Sequence, residues 1–217
     1  MTDDDRPPDP AFVYRYKDGL YLNLTNRCPT SCVFCIKRSW EMRYRSYDLD
    51  LGGREPPVEA VLEAVRGARD EAPFREIVFC GYGEPTYRLE GLLRVCDAAV
   101  RELPGVTRRL NTVGLGNLIC GRDIVPELKG RLDSVSVSLN TADPDQWAEI
   151  MRPRGEFLAT GHSAVQEFIR ACVKILPETV ATAVSRPGVD LDACRRLAES
   201  LGAKWRVRPW LADYERQ

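Results

Sequence analysis

Cys28-Pro29-Thr30-Ser31-Cys32-Val33-Phe34-Cys35 is the segment of this chain best equipped for chemistry. Three thiolates this close in sequence can converge on one metal centre. A structural zinc site takes four closed ligands, and no second close cysteine pair supplies a fourth. A cubane iron–sulfur cluster held by only three thiolates keeps one iron open for a substrate or cofactor. The odd count favours a chemically active cluster, and spacing alone leaves zinc open.

The elements that must position this segment alternate strand and helix. Phe12–Tyr16, Lys17-Asp18-Gly19 and Leu20–Thr25 read as a β-hairpin, with Asp-Gly supplying the turn. Further strands are expected at Glu76–Cys80, Thr107–Asn111, Asp133–Asn140, Thr179–Ser185 and Lys204–Pro209. Helices are expected near 57–70, 88–103, 122–130, 144–151, 164–176 and 190–201. Pro57 suits a first helical turn, Asp143-Pro144 a cap, and Ser163-x-x-Gln166 a capping box. The alternation predicts an α/β fold with a parallel sheet and helices outside, open or closed into a barrel. Residues 1–11, acidic and proline-rich, read as a disordered tail, and 12–217 as one domain.

These strands are not the continuous apolar runs of a sheet covered on both faces. Ser134, Ser136, Ser138 and Asn140 oppose Val135, Val137 and Leu139; Tyr21, Asn23 and Thr25 oppose Leu20, Leu22 and Leu24. Arg109 and Asn111 oppose Leu110, and Arg206 and Arg208 oppose Trp205 and Val207. In the fifth parallel strand, small Thr179, Ala181, Ala183 and Ser185 oppose Val180, Thr182 and Val184. A packed barrel interior would be branched and apolar. A small, polar or cationic lining suits a wet cavity for a polar ligand; a sheet with one solvent-exposed face is the plainer alternative.

Cys-x3-Cys-x2-Cys with Phe34 before the third cysteine resembles the signature of the radical S-adenosylmethionine (SAM) superfamily. Cys80-Gly81-Tyr82-Gly83-Glu84-Pro85-Thr86 resembles its Gly-Gly-Glu-Pro SAM-binding turn, with Tyr82 separating the glycines. Asn111-Thr112-Val113-Gly114 is similar to the segment closing the third strand, and Ser136, Ser138 and Asn140 to the fourth-strand end that contacts SAM. From about Tyr14 onward the chain resembles the TatD-linked radical SAM proteins, chiefly in 20–28, 77–86 and 133–140. The resemblance implies a partial (βα)6 barrel carrying an N-terminal β-hairpin strand. It implies a [4Fe-4S] cluster on Cys28, Cys32 and Cys35, and SAM on its open iron. Reductive cleavage of SAM would then give a 5′-deoxyadenosyl radical that abstracts hydrogen from a small or macromolecular substrate. It further implies Phe34 beside the cluster, a flavodoxin or ferredoxin as reductant, and a functional link to a TatD-type hydrolase. Among relatives in the superfamily, 7-carboxy-7-deazaguanine synthases place Thr or Ser after the third cysteine, where this chain has Ile36. Glycyl-radical activases share only the cluster motif. The alternative of another class is a non-catalytic zinc or iron–sulfur binding module.

Other residues are read more plainly. Cys96, Cys172 and Cys194 lie on apolar helical stripes and are expected as buried thiols. Cys80 is expected buried, beside or facing the cavity. Cys120 lies in a loop with no role assigned. His162 is expected at the surface or as a cap. Lys37, Arg38, Trp40, Arg43, Tyr44, Arg45 and Tyr47 are expected to grip an anionic or nucleobase-like substrate or to cover the cluster. Arg152 and Arg154 are placed near the barrel mouth, and Arg208 is the cavity cation facing the SAM carboxylate or a substrate anion.

The charge is nearly balanced, 31 Lys and Arg against 32 Asp and Glu, so no bulk field draws nucleic acid or an acidic membrane. No long apolar run suits a membrane span, and the N-terminus lacks the basic-then-apolar order of a signal peptide. A cytoplasmic protein is expected, whose eight cysteines serve as ligands or buried thiols rather than disulfides.

Overall fold

The computed structural model describes residues 11–211; the expected tail at 1–11 falls almost wholly outside them. Strands β1 (Val13–Tyr16) and β2 (Gly19–Leu22) form the antiparallel hairpin. Its turn is Lys17-Asp18, with Lys17 at φ 53°, while Gly19 pairs with Tyr16 and opens β2. Asp-Gly is therefore not the turn pair; a lysine carries the left-handed conformation.

After β2 come α1 (Ile36–Ser39) and a two-stranded hairpin of β3 (Arg43–Tyr44) and β4 (Tyr47–Asp48), then α2 (Val58–Glu71) and β5 (Glu76–Phe79). A 3-10 turn at Pro85–Arg88 leads into α3 (Leu89–Glu102) and β6 (Thr107–Thr112). Next are α4 (Gly116–Cys120), α5 (Val125–Leu128), β7 (Ser134–Ser138), α6 (Pro144–Met151), α7 (Gly155–Leu158) and α8 (Gly161–Ile175). The described chain ends with β8 (Glu178–Val184), α9 (Leu191–Ser200) and β9 (Lys204–Arg208). The main sheet runs β1-β2-β5-β6-β7-β8-β9, all parallel except β1. Six parallel strands with helices between them make the α/β architecture. No helix follows β9 among the described residues.

Apolar strand residues Leu20, Leu22, Ile77, Phe79, Leu110, Val135 and Val137 face the helices. They pack against Val61 and Val65 of α2, Leu92 and Cys96 of α3, and Phe168 and Cys172 of α8. Cys194 of α9 is also fully buried. Burial of this apolar surface is the dominant favourable term in folding, and helical spacing of three and four puts each stripe on the sheet.

Several local expectations change. The helix expected over 122–130 is only the short α5, and a further short helix, α4, precedes it unexpectedly, ending at the left-handed Gly121. Helix α8 begins at Gly161, so Ser163 lies inside it. The Ser163 hydroxyl donates back to the Thr160 carbonyl at 2.9 Å, and no side chain caps the helix. His162 is buried: its Nε2 lies 3.1 Å from the Thr141 carbonyl oxygen and its ring packs beside Trp147. The Asp143 cap forms as expected, accepting from the backbone N–H groups of Asp145 and Gln146. In β8 the facing is reversed from expectation. Register aligns Thr182 with Ser138 and Arg206, and Val184 with Arg208. Thr182 and Val184 thus face the cavity, and the small Ala181 packs into the helix-side core.

Candidate active site

Residues from the β2 loop and from β9, nearly opposite ends of the sheet, line one cavity of about 400 Å³. That is possible only if the sheet curls, which makes it a partial barrel open between its edges. The cavity lies at the C-terminal ends of the parallel strands, where α/β folds place their chemistry.

Cys28, Cys32 and Cys35 all line this cavity and are half-buried. The Thr30 hydroxyl sits between two of the sulfurs, 3.5 Å from Cys28 Sγ and 3.3 Å from Cys32 Sγ. Cys32 Sγ lies 3.7 Å from the Met151 thioether. Burial pushes the Cys32 thiol up to about 12, against the opposing Thr30 hydrogen bond, and raises Cys28 likewise. A bound metal would supply the positive charge that favours the thiolate form of these two sulfurs.

The cysteine loop is pinned on both flanks. On one, the backbone N–H groups of Ser31 and Val33 donate to the carbonyls of Met151 (3.0 Å) and Ile150 (2.9 Å), and Arg154 N–H donates to the Pro29 carbonyl (2.9 Å). On the other, Glu55 accepts from Thr25 Oγ1 at 2.6 Å, Arg27 Nε at 2.7 Å and Arg88 Nη1 at 3.1 Å. Burial alone would raise the Glu55 pKa, but the Thr25 and Arg27 hydrogen bonds and the two arginine charges hold it below 4.5.

The turn after β5 packs against the same loop. A Cβ on Gly83 would come within 2.7 Å of the Arg27 carbonyl oxygen and 2.8 Å of the Thr25 carbonyl carbon; one on Gly81 would overlap Asn23. These glycines make room for the cysteine loop itself, a closer constraint than ligand access. Tyr82 N–H donates to Asn23 Oδ1 at 3.3 Å, and the Tyr82 hydroxyl donates to the Arg43 carbonyl at 2.6 Å. Glu84 is buried and accepts from Thr86, Thr112 and Val113. Pro85 is buried in the 3-10 turn outside the cavity lining.

Phe34, Gly81, Tyr82, Gly83, Glu84, Asn111, Ser136, Ser138, Asn140 and Arg208 all line the cavity, as the sequence suggests. Cys80 also faces it, its thiol raised by burial. Asn140 is buried at φ 64°, and its Nδ2 lies 3.1 Å from Met151 Sδ. Cys120 is half-buried at the end of α4, with Sγ 3.7 Å from the Thr86 carbonyl. The basic-aromatic segment divides. Trp40, Tyr44 and Tyr47 pack with Tyr14 and Tyr82 into a second small core, Arg38, Arg43 and Arg45 are exposed, and Lys37 lines the cavity. Arg152 and Arg154 are exposed and outside the lining: the segment holding them pins the cysteine loop through its backbone. Sequence reading missed Thr30, Glu55 and Met151 as parts of this site, while the inward facing of Arg206 beside Arg208 follows the strand pattern; the Thr30 spacing between two cysteines was the one local signal.

Among the described residues, no three His, Cys, Asp or Glu side chains are drawn together around a single-ion position. A multi-iron cluster asks less convergence of its ligands, because each thiolate binds a different iron. Three soft thiols on one wall, with hydroxyls, a carboxamide and the buried Arg208 Nε, unpartnered among the described residues, on the other, fit an iron–sulfur cluster with a polar cofactor that carries a carboxylate.

The family model of the radical SAM superfamily matches residues 22–201. The chain belongs to the radical SAM superfamily. It carries that superfamily's enzyme domain, which binds SAM and an iron–sulfur cluster. Over 139 residues it is 31% identical to a probable GTP 3′,8-cyclase of Methanocella arvoryzae, covering 64% of this chain and 39% of that protein. Over 86 residues it is 33% identical to a probable RNA methyltransferase of Azoarcus sp., covering 39% of this chain and 22% of that protein. The chain thus spans well under half the length of either curated relative. Among solved structures, its fold is similar to Streptococcus suis SuiB bound to its precursor peptide SuiA, with TM-score 0.64 and 15% identity over 91% of this chain and 40% of that one. It is similar also to methylornithine synthase, with TM-score 0.54 and 12% identity over 89% of this chain and 53% of that one. The likeness in both cases is of the radical SAM fold. No helix among the described residues is long and apolar enough to cross a membrane.

Proposed function

We propose that this chain is a radical SAM enzyme in which Cys28, Cys32 and Cys35 hold a [4Fe-4S] cluster. One observation carries the reading: the three thiols share a single cavity with the polar sheet face that ends at Ser138, Asn140 and Arg208. When bound, the reduced cluster and SAM supply one-electron cleavage of SAM to methionine and a 5′-deoxyadenosyl radical, which takes a hydrogen atom from the substrate. The chain's own residues orient and shield. Met151 and Thr30 pack the cluster side, Phe34 and Tyr82 limit water, and Ser136, Ser138 and Asn140 offer hydrogen bonds to polar groups. Lysine and arginine charges at the mouth favour anionic occupants.

Within the superfamily we place the chain with the TatD-linked proteins, on the likeness of segments 20–28, 77–86 and 133–140. A flavodoxin or ferredoxin as reductant, a TatD-type hydrolase as functional partner and a cytoplasmic location belong to the same reading.

The test is anaerobic reconstitution with iron and sulfide, then dithionite reduction with SAM. A reduced-cluster EPR signal that changes with SAM is expected, with 5′-deoxyadenosine that vanishes in Cys32→Ala. A colourless protein carrying about one zinc and forming no 5′-deoxyadenosine would sink the reading and leave a metal-binding module.

A further inference from the structure

Among the described residues, two cavity cations have no counter-ion. Arg206 and Arg208 stand two residues apart on β9 and both line the cavity. Arg206 Nη2 donates to Ser136 Oγ at 3.1 Å; Arg208 Nη2 donates to Ser138 Oγ at 3.3 Å and Asn140 Oδ1 at 3.2 Å. All three acceptors are neutral. Among the described residues neither guanidinium meets a carboxylate.

A third arginine on the concave face shows what neutralisation looks like. Arg109 is gripped by Glu76 at two points, Nε to Oε1 at 2.9 Å and Nη2 to Oε2 at 2.7 Å. Arg208, in contrast, keeps a buried Nε with no acceptor. Burial works against its charge, in the direction of a lowered pKa. A desolvated, unpaired cation and an orphaned donor are both costly unless an anion completes them. SAM brings one carboxylate, and Arg208, level with Asn140, is the guanidinium nearer the cysteine wall. Arg206 lies one pleat further from the strand ends and is exposed toward the open side. Two guanidinium forks beside two serine hydroxyls match an oxyanion with several acceptor oxygens.

We propose that Arg206 and Arg208, with Ser136 and Ser138, clamp a carboxylate or phosphate group of the substrate, so that the substrate is an organic anion entering from the β9 side. The proposal deepens the radical SAM reading and rests on it in taking the occupant for a substrate. Thr182, between the two serines and the arginines in register, supplies a further hydroxyl on the same wall.

The test begins on cluster-free protein, so it does not depend on the radical chemistry. Thermal midpoints are measured against inorganic phosphate and against succinate, with chloride at matched ionic strength as control. At least one oxyanion should stabilise the chain beyond chloride. Arg206→Gln should weaken its apparent Kd ~10-fold, and Arg206→Lys by less, because the fork is lost but the charge is kept. The exposed Arg170→Gln on α8 removes the same charge elsewhere and should leave the titration unchanged. A preference for phosphate or for succinate assigns the substrate group. No stabilisation beyond chloride, or equal responses from Arg206→Gln and Arg170→Gln, would overturn the clamp. So would a reconstituted Arg206→Gln that loses the SAM-induced EPR change while binding oxyanions normally, since the pair would then serve SAM. Specific anion binding in a chain that never cleaves SAM would support the clamp and remove the radical reading instead.

Discussion

Glu84 Oε2 accepts the Val113 backbone N–H at 2.7 Å, joining the turn after β5 to the turn after β6. Its other oxygen accepts from Thr112 Oγ1 at 2.9 Å, Thr86 Oγ1 at 2.8 Å and Thr86 N–H at 3.2 Å. Every partner is a donor, so the site asks for an acceptor at both oxygens. Glu84→Gln turns an NH2 group toward a donor in a buried place. It should cost about 1–3 kcal/mol of stability, measured by urea unfolding, with m unchanged.

Glu55 gives the chain a dependence on acid. Its folded pKa lies below 4.5, so the folded state binds this proton less tightly than the unfolded state. The stabilisation is therefore present above 4.5 and lost as pH falls through the lower folded value. Glu55→Gln should lower the melting midpoint at neutral pH and flatten the acid limb, the two chains converging as pH falls through the lowered folded value. Because Thr25 and Arg27 lead into Cys28, the same variant should take up less iron per chain on reconstitution.

Gly83→Ala forces a methyl group against the backbone of Thr25 and Arg27. Backbone cannot swing aside as a side chain can, so overpacking here should cost about 1–3 kcal/mol. Gly67→Ala on α2, where a Cβ meets nothing within 4 Å, should instead stabilise slightly. Opposite shifts in the two melting midpoints would separate close packing from general glycine effects.

Asn140 combines a left-handed backbone with contacts to Arg208 and Met151. Asn140→Ala loses both the carboxamide and the tolerance for positive φ. Asn140→Gly keeps only the backbone freedom. Unfolding should place the alanine variant about 1 kcal/mol below the glycine variant, with both below the parent. Equal stabilities would mean that the strain is not stored at this residue.

The parts of the fold legible in the sequence were those encoded at short range. Alternating polarity in 134–140 marked the inward face of β7, and the cysteine spacing marked a loop that lines the cavity. The β8 facing was misjudged because polarity was ambiguous there and register, a property of three strands together, decides it. His162 was misplaced because its burial depends on Trp147 and on the Thr141 carbonyl, neither part of its own helical stripe. The supports of the site were invisible for the same reason: Glu55 is 28 positions from Arg27, and Met151 is 119 from Cys32. Nothing in a local window links them.

The cavity walls follow chain order, with the cysteine loop after β2 and the far wall on β9. During synthesis from the N-terminus, the thiols therefore leave the ribosome long before the strand that encloses them. A chain halted before Arg208 has every cysteine of the motif but lacks the wall that faces them. On the proposed reading, cluster assembly would wait for β9 to dock, and a nascent chain offered iron earlier would present an open, oxidisable loop in place of a pocket.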